Sequence, residues 1–315
     1  MADKNTFVSL GNGQTIPILG LGTWNSEKNK VKEAVIAAID AGYRHLDCAW
    51  AYSNEIEVGE ALKEKFTDGT VKREDVFITS KLWNSFHAPE DVQRNLEDTL
   101  KKLQLSYLDL YLMHWPTAFQ AGENPFPTNA DGGFIPGPTD YTVTWQAMEK
   151  LVEKGLAKAV GVSNFNISQL TRVVDLPNKV PIANNQVELQ PYFPQEELVN
   201  FCKSKGITVT AYSPLGSPAN PFADPKEPKL LQDPVILKLA AKHKVSPAVI
   251  CIRYQIERGI IVIPKSVTIS RIQENFKALD IKLSSEEMQE LSALASRDFR
   301  YITFPPLKSH PDYPF

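Results

Sequence analysis

The chain has 315 residues with the composition of an ordinary globular protein, and its formal net charge is −3. This balance provides no broad basic field, so we expect neither a nucleic-acid partner nor binding to an anionic membrane. Three scattered cysteines without a CxxC pair argue against a disulfide framework and favour a reducing compartment. The five histidines show no metal-ligand spacing, and the start Met1–Thr6 has no apolar signal core, so we expect a cytoplasmic protein without a metal site.

The first predicted element is a hairpin over residues 6–18 around the turn Gly11-Asn12-Gly13. Pro17 cannot donate to a strand ladder, so this hairpin is predicted to cap one end of the domain. From Leu19 onward, short apolar strands alternate with amphipathic helices. The strands are predicted at 19–24, 43–47, 76–81, 107–114, 157–163, 182–187, 207–212 and 260–263. The helices are predicted at about 31–42, 58–66, 88–103, 140–154, 166 onward, 195–205, 233–243, 246–257, 270–277 and 284–295.

Strands that alternate with helices imply a parallel sheet with helical crossovers. Eight such units in about 250 residues fit a closed (β/α)8 barrel better than an open doubly wound sheet. The dinucleotide fingerprint of open sheets is also missing, since Gly20-Leu21-Gly22 lacks the third glycine. We therefore predict an α/β protein with one domain over residues 1–315, a (β/α)8 TIM barrel with an N-terminal hairpin cap and two extra helices. The Pro-rich tail 304–315 is predicted to be irregular surface coil.

Nearly every predicted strand ends in a polar or aromatic residue, and in a barrel these ends meet at the rim that carries active sites. A carboxylate at the inner end of a strand, Asp47, needs a cation, and Lys81 is the candidate. With Tyr52 nearby, the three groups would form a tuned proton donor. The alternative is an ion pair that only fixes strand register, with Tyr52 as a loop anchor and His114 as an ordinary core histidine.

Other rim residues predict ligand contacts. In the long loop 115–140, Trp115 and Phe126 follow no helical or strand period, which favours an apolar pocket wall over ordinary core. Ser163-Asn164 suits hydrogen bonding to an amide, and Tyr212 offers a flat face for ring stacking. After the last strand, a helix start accompanied by basic residues favours phosphate, the alternative being a solvated charged turn. These residues are Lys265, Ser266 and Arg271.

Two stretches closely resemble the aldo-keto reductase family. The first, Gly42–Gly59, matches its pattern Gly-Tyr-Arg-His-Leu-Asp-Cys-Ala, five residues, Glu, two residues, Val-Gly. The second, Ile263–Asn275, matches Ile-Pro-Lys-Ser, four residues, Arg, two residues, Glu-Asn. The likeness runs from the hairpin to Asp312-Tyr313-Pro314-Phe315 and is strongest toward aldose and aldehyde reductases. The resemblance implies a barrel that binds NADP(H) and reduces aldehydes or ketones to alcohols.

The resemblance also implies roles for individual residues. The catalytic group would be Tyr52, Asp47, Lys81 and His114. The cofactor would contact Thr23, Trp24, Ser163, Asn164, Gln186, Tyr212, Ser213, Leu215, Ser217, Lys265, Ser266, Val267, Arg271, Glu274 and Asn275. The substrate would contact Trp24, Trp50, Trp115, His114, Phe126 and Tyr301. Tyr52 would donate the proton, and a Lys81 cation would lower its pKa by roughly 1–3 units.

Three departures from the family pattern affect these expectations. Trp50 stands where this branch usually has His, which predicts a bulkier pocket wall beside Tyr52. Asn25 and Ala219 stand where a Lys–Asp latch often closes a loop over the cofactor, which predicts faster cofactor exchange. The C-terminal specificity loop, about Arg300 to Leu307, has its own sequence, so the substrate preference of the family is not expected to transfer. We expect a monomer that takes a small carbonyl substrate, apolar or aromatic. Two alternatives stay open: a non-catalytic NADP(H)-binding structural or regulatory barrel, and a dehydrogenase that mainly oxidises a hydroxysteroid or polyol.

Overall fold

A computed structural model describes residues 6–218, 220–221 and 223–315, so that Met1–Asn5, Ala219 and Phe222 lie outside the described residues. The N-terminal hairpin pairs β1 (Phe7–Ser9) with β2 (Thr15–Pro17) in antiparallel register. Its apolar residues Leu10 and Ile16 are fully buried. They pack against residues of the barrel strands, including Phe77 and Leu110, so the predicted cap is confirmed.

The eight remaining strands are all parallel and follow one another in chain order around the sheet. They are β3 (Leu21–Gly22), β4 (His45–Asp47), β5 (Phe77–Leu82), β6 (Leu110–Met113), β7 (Val160–Ser163), β8 (Asn184–Glu188), β9 (Thr208–Tyr212) and β10 (Ile261–Val262). Bridges from Leu19 to Val262 and from Gly22 to Lys265 join the first strand to the last. A Cβ at Gly22 would lie 2.8 Å from the Ile263 carbonyl oxygen, so this seam requires glycine. The predicted closed (β/α)8 barrel is therefore confirmed.

Ten α-helices surround the described strands. They are α1 (Val31–Ala41), α2 (Glu55–Thr67), α3 (Pro89–Leu103), α4 (Tyr141–Glu153), α5 (Ile167–Val174), α6 (Glu196–Ser204), α7 (Pro234–His243), α8 (Pro247–Glu257), α9 (Ile269–Phe276) and α10 (Ser285–Ser292). Side-chain caps start several of them as the sequence indicates, for example Asp140 on α4 and Asn166 on α5. No helix within the described ranges combines the length and the apolarity needed to cross a bilayer.

The C-terminal tail differs from the expectation of surface coil. Leu307 is fully buried in an aromatic cluster with Trp83 and Trp115. Asn166 and Gln169 at the start of α5 donate to backbone carbonyls of the tail at 3.1 and 2.9 Å. A proline-rich segment has no periodicity from which burial can be read, and its order comes from these long-range contacts.

Candidate active site

A cavity of about 660 Å³ opens at the rim formed by the C-terminal ends of the strands. Most of the rim residues that the sequence singles out line it. These are Trp24, Asp47, Tyr52, His114, Trp115, Phe126, Ser163, Asn164, Gln186, Tyr212, Ser213, Leu215, Ser217, Lys265 and Tyr301. One continuous cavity thus joins the predicted proton donor to the predicted phosphate side.

Asp47 and Tyr52 line the wall of this cavity, and Lys81, which does not line it, lies buried against both. Asp47 ends β4, Lys81 lies near the end of the neighbouring β5, and Tyr52 sits in a 3-10 turn, Trp50–Tyr52, that follows β4. The Lys81 ammonium donates to Asp47 Oδ2 at 2.6 Å, to the Cys48 carbonyl at 2.8 Å and to the Tyr52 hydroxyl oxygen at 3.2 Å. All three donors of the ammonium are therefore used, and one of them reaches the phenol.

The ion pair is almost completely withdrawn from water, with side-chain exposures of 0% for Lys81 and 3% for Asp47. A buried carboxylate needs hydrogen bonds to both oxygens to offset its desolvation. The second oxygen of Asp47, Oδ1, accepts from the Gln186 side-chain amide at 2.7 Å. Gln186 belongs to β8, across the barrel, so the charge network draws on three strands.

The pKa of Tyr52 differs from the sequence-based expectation. Burial raises the pKa of this phenol well above its usual value, and the Asp47 carboxylate and Cys48 act in the same direction. The expected lowering by Lys81 is not met, because the charge of the ammonium is largely neutralised by Asp47 at 2.6 Å. Tyr52 is therefore fully protonated at neutral pH, the form that a proton donor requires.

His114 follows β6 and forms the opposite wall. Burial, followed by the nearby Lys81 cation, lowers the pKa of His114 well below its usual value, so the ring is neutral at pH 7. Its Nδ1 is buried and has no hydrogen-bond partner among the described residues. We assign the proton to Nε2, because a buried N–H without a partner is rarer in proteins than a buried acceptor without one. The ring lies edge-on to Tyr52, with 5.7 Å between ring centroids.

The residues predicted to bind an amide already form a connected network. Asn164 donates to the His114 carbonyl at 2.9 Å and accepts from the Tyr212 hydroxyl at 2.7 Å. Ser163 donates to the Gln186 backbone carbonyl at 2.8 Å. The first two bonds hold the Tyr212 ring and the Asn164 amide at the cavity wall before any ligand enters, and the bond to Asp47 holds the Gln186 amide there. Pre-oriented amides beside an aromatic face fit an aromatic carboxamide such as nicotinamide.

The other end of the cavity is cationic. Lys265 donates to the Asn25 carbonyl at 2.8 Å. Burial lowers the pKa of Lys265, with Glu27 acting in the opposite direction, so an anion placed here would stabilise its charged form. An exposed cation, Arg271, follows in the first turn of α9. This donor set fits a phosphate group.

Several predicted contacts do not line the cavity. Thr23 is buried and donates to the Asp47 carbonyl at 2.8 Å, so it ties β3 to β4. Ser266, Val267, Arg271, Glu274 and Asn275 all lie beyond the cavity along the segment that leads into α9 and through it.

Contrary to expectation, Trp50 does not line the cavity either. Its indole N–H donates to Asp98 on α3 at 2.7 Å, and its ring packs against Phe86. The small Ala51 takes its place in the wall beside Tyr52. The 3-10 conformation of this turn rotates successive side chains to different sides, which residue identity alone did not reveal.

Sequence reasoning also missed wall residues. Trp83 lies two residues after Lys81 at the end of β5, and its ring packs edge-on to His114 at 5.5 Å. Because Trp83 directly follows β5, the expectation that residues at strand ends face the site would have included it. Phe299, Arg300, Ile302 and Phe304 from the C-terminal segment also line the cavity. They are placed by buried Glu188, which accepts from the backbone N–H groups of Tyr301 and Ile302 at 2.8 Å, a contact without a sequence signal.

Known proteins resemble this chain over nearly its whole length. A family model described as Aldo/keto reductase family matches residues 18–296. The chain is 52% identical over 319 residues to aldo-keto reductase family 1 member A1 of Gallus gallus, covering 98% of this chain and 97% of that protein. The Homo sapiens protein of the same name is 51% identical over 318 residues, with the same coverage. The solved structure of the aldose reductase from Schistosoma japonicum matches with a TM-score of 0.90 and 46% identity, covering 96% of both chains.

Proposed function

This chain belongs to the aldo/keto reductase family of carbonyl-reducing oxidoreductases, and we propose that it reduces aldehydes or ketones to alcohols with NADPH, using Tyr52 as the general acid. The observation that carries the proposal is the buried contact chain from Asp47 through Lys81 to the Tyr52 hydroxyl, beside a neutral His114. Its position at the rim of a barrel, inside a cavity that continues to Lys265, supports a site for both a carbonyl compound and a dinucleotide.

When bound, a reduced nicotinamide supplies the hydride. Ser163, Asn164 and Gln186 would hold its carboxamide, and the Tyr212 ring would support its plane. Lys265, Ser266 and Arg271 would bind the 2′-phosphate that distinguishes NADPH from NADH, with Glu274 and Asn275 near the adenine. Leu215, Ser213 and Ser217 would line the path of the pyrophosphate.

Protein residues place and protonate the carbonyl oxygen. Neutral His114 donates from Nε2 to that oxygen and so polarises the carbonyl. Tyr52 then transfers its proton to the oxygen as negative charge develops there. An alkoxide is about as basic as hydroxide and far more basic than a phenolate, so even a phenol with a raised pKa can supply this proton. Lys81, donating to the phenol oxygen, stabilises the phenolate that remains.

The substrate wall is apolar on one side. Trp24, Trp83, Trp115 and Phe126 line it, and the C-terminal segment with Tyr301 completes it. This lining favours apolar or aromatic carbonyl compounds.

The test is a steady-state screen of aldehydes and ketones with NADPH and NADH, together with Tyr52→Phe. Loss of the general acid should lower kcat by about 10²–10⁴-fold, while NADPH still quenches the protein fluorescence with an unchanged Kd. Near-normal turnover of the variant would refute the assignment. Wild-type protein that binds NADPH but reduces no carbonyl would favour a non-catalytic binding role, and faster turnover of alcohols would favour oxidation.

A further inference from the structure

Trp50 takes no direct part in the proposed reaction, yet its contacts lie next to the proton donor. It begins the 3-10 turn that ends at Tyr52, and the Tyr52 N–H donates to the Ala49 carbonyl at 3.0 Å. The next residue, Ser53, has a left-handed backbone with φ of 56°, which costs a non-glycine residue about 1 kcal/mol or more. Such a short turn transmits any displacement of its first residue to its last.

The indole N–H of Trp50 donates to Asp98 Oδ2 at 2.7 Å. The same oxygen receives the Lys102 ammonium at 2.6 Å, and that ammonium lies 4.7 Å from the centre of the Trp50 ring. Although burial opposes it, these two donors hold the pKa of Asp98 below its usual value, so the acceptor is charged at neutral pH. A charged acceptor makes this hydrogen bond stronger than a neutral pair would.

The Trp50–Asp98 bond connects the turn to α3, and α3 is the helix that follows β5, the strand that carries Lys81. On the other side of the turn, Glu55 starts α2 and is tied to the same unit: it accepts from Ser80 of β5 at 2.6 Å and from Thr99 of α3 at 3.1 Å. The turn that carries Tyr52 is thus fastened before and after to the β5–α3 unit that carries Lys81.

We propose that Trp50 is a positioning residue for the proton donor: its bond to Asp98 holds the 3-10 turn so that the Tyr52 hydroxyl stays within hydrogen-bond distance of Lys81. The inference rests on the proposed function, because it assumes that Tyr52 is the acid. It explains why a large indole at this position faces α3 and leaves Ala51 in the cavity wall.

The test compares Trp50→Phe, which keeps a ring but removes the N–H, with Asp98→Ala, which removes the acceptor. Each should lower kcat by about 3–30-fold, since small misplacements of a catalytic group cost up to about 10²-fold. The KM for the carbonyl and the Kd for NADPH should change less than about twofold. The solvent isotope effect on kcat should rise as proton transfer becomes slower. The double variant should be no worse than either single variant, because both remove the same bond.

Lys102→Met is the matched control. It removes a neighbour of both partners but leaves the indole–carboxylate bond, so its kcat should stay within about twofold of wild type. Urea unfolding of each variant checks that the measured protein is folded. A fully folded Trp50→Phe variant with wild-type kcat and isotope effect would overturn the inference. A rise in KM as large as the fall in kcat would also overturn it. If Tyr52→Phe is inactive while Trp50→Phe is normal, only this inference fails, and an active Tyr52→Phe ends both proposals.

Discussion

Replacing Lys81 with methionine separates a proton-donor role for the buried charges from a purely structural one. In the wild type, Lys81 and Asp47 form a 2.6 Å ion pair with almost no solvent exposure. Lys81→Met keeps the length of the side chain and removes the charge, so that among the described residues Asp47 retains only the Gln186 amide as a side-chain donor. Removing one partner of a buried ion pair typically costs about 3–5 kcal/mol, because the other charge stays behind in a poorly polarisable site.

Most of the free energy of unfolding lost in Lys81→Met should be regained when the unpaired Asp47 carboxylate is also replaced by a neutral group. The double variant Asp47→Asn, Lys81→Met contains no unpaired charge, and we expect it to recover more than half of the lost free energy of unfolding. Activity should not return with it, because the cation that stabilises the Tyr52 phenolate is still missing. Turnover should fall by about 10²-fold or more in both variants.

The assays are urea unfolding followed by circular dichroism and NADPH consumption with one good aldehyde substrate. A loss of less than about 1 kcal/mol in Lys81→Met would mean that the pair is better solvated than the structure indicates. Recovered turnover in the double variant would show that the charges serve only strand register, and the proton-donor assignment would then fail.

Two further predictions address the cofactor and the pH dependence. Lys265→Met and Arg271→Met should each raise the KM for NADPH about tenfold or more while changing the KM for NADH little, and equal effects on both cofactors would argue against a 2′-phosphate site here. His87 is buried without a hydrogen-bond partner for either ring nitrogen among the described residues, and burial lowers its pKa to about 3. In the unfolded chain His87 takes up a proton below about pH 6.5, whereas in the folded protein it stays neutral down to about pH 3. The contribution of neutral His87 to the free energy of unfolding is therefore fully present above about pH 6.5 and falls by about 1.4 kcal/mol for each pH unit below it. When the pH is lowered from 6.5 to 5, the free energy of unfolding measured by urea titration should fall about 2 kcal/mol less for His87→Phe than for wild type. The same dependence on pH in both proteins would contradict this explanation.

Much of the fold could be predicted because it rests on local patterns. The Gly11-Asn12-Gly13 turn and the apolar strand cores each act within a few residues, and the structure confirms them. Asp47 and Lys81 could be paired from sequence because a carboxylate at a buried strand end requires a nearby cation. Their adjacency then follows from neighbouring parallel strands.

The unpredicted features depend on long-range packing. The direction of the Trp50 side chain depends on the 3-10 geometry of its turn and on Asp98, which lies 48 residues later. The order of the tail depends on side chains of α5. The raised pKa of Tyr52 depends on how completely the fold buries it, whereas the sequence shows only that a cation is near. Each of these quantities is set by surroundings that come from other parts of the chain.

The seam between Gly22 and Lys265 has a consequence for synthesis of the protein. The ring of strands cannot close until β10 and Lys265 have left the ribosome, since the joint pairs the first barrel strand with the last. A polypeptide that ends before Lys265 would contain Tyr52 and Lys81 but would lack the Lys265 side of the cavity. Because Gly22 and Lys265 both line the cavity, the complete binding site forms only after this late strand has been synthesised and has joined the sheet.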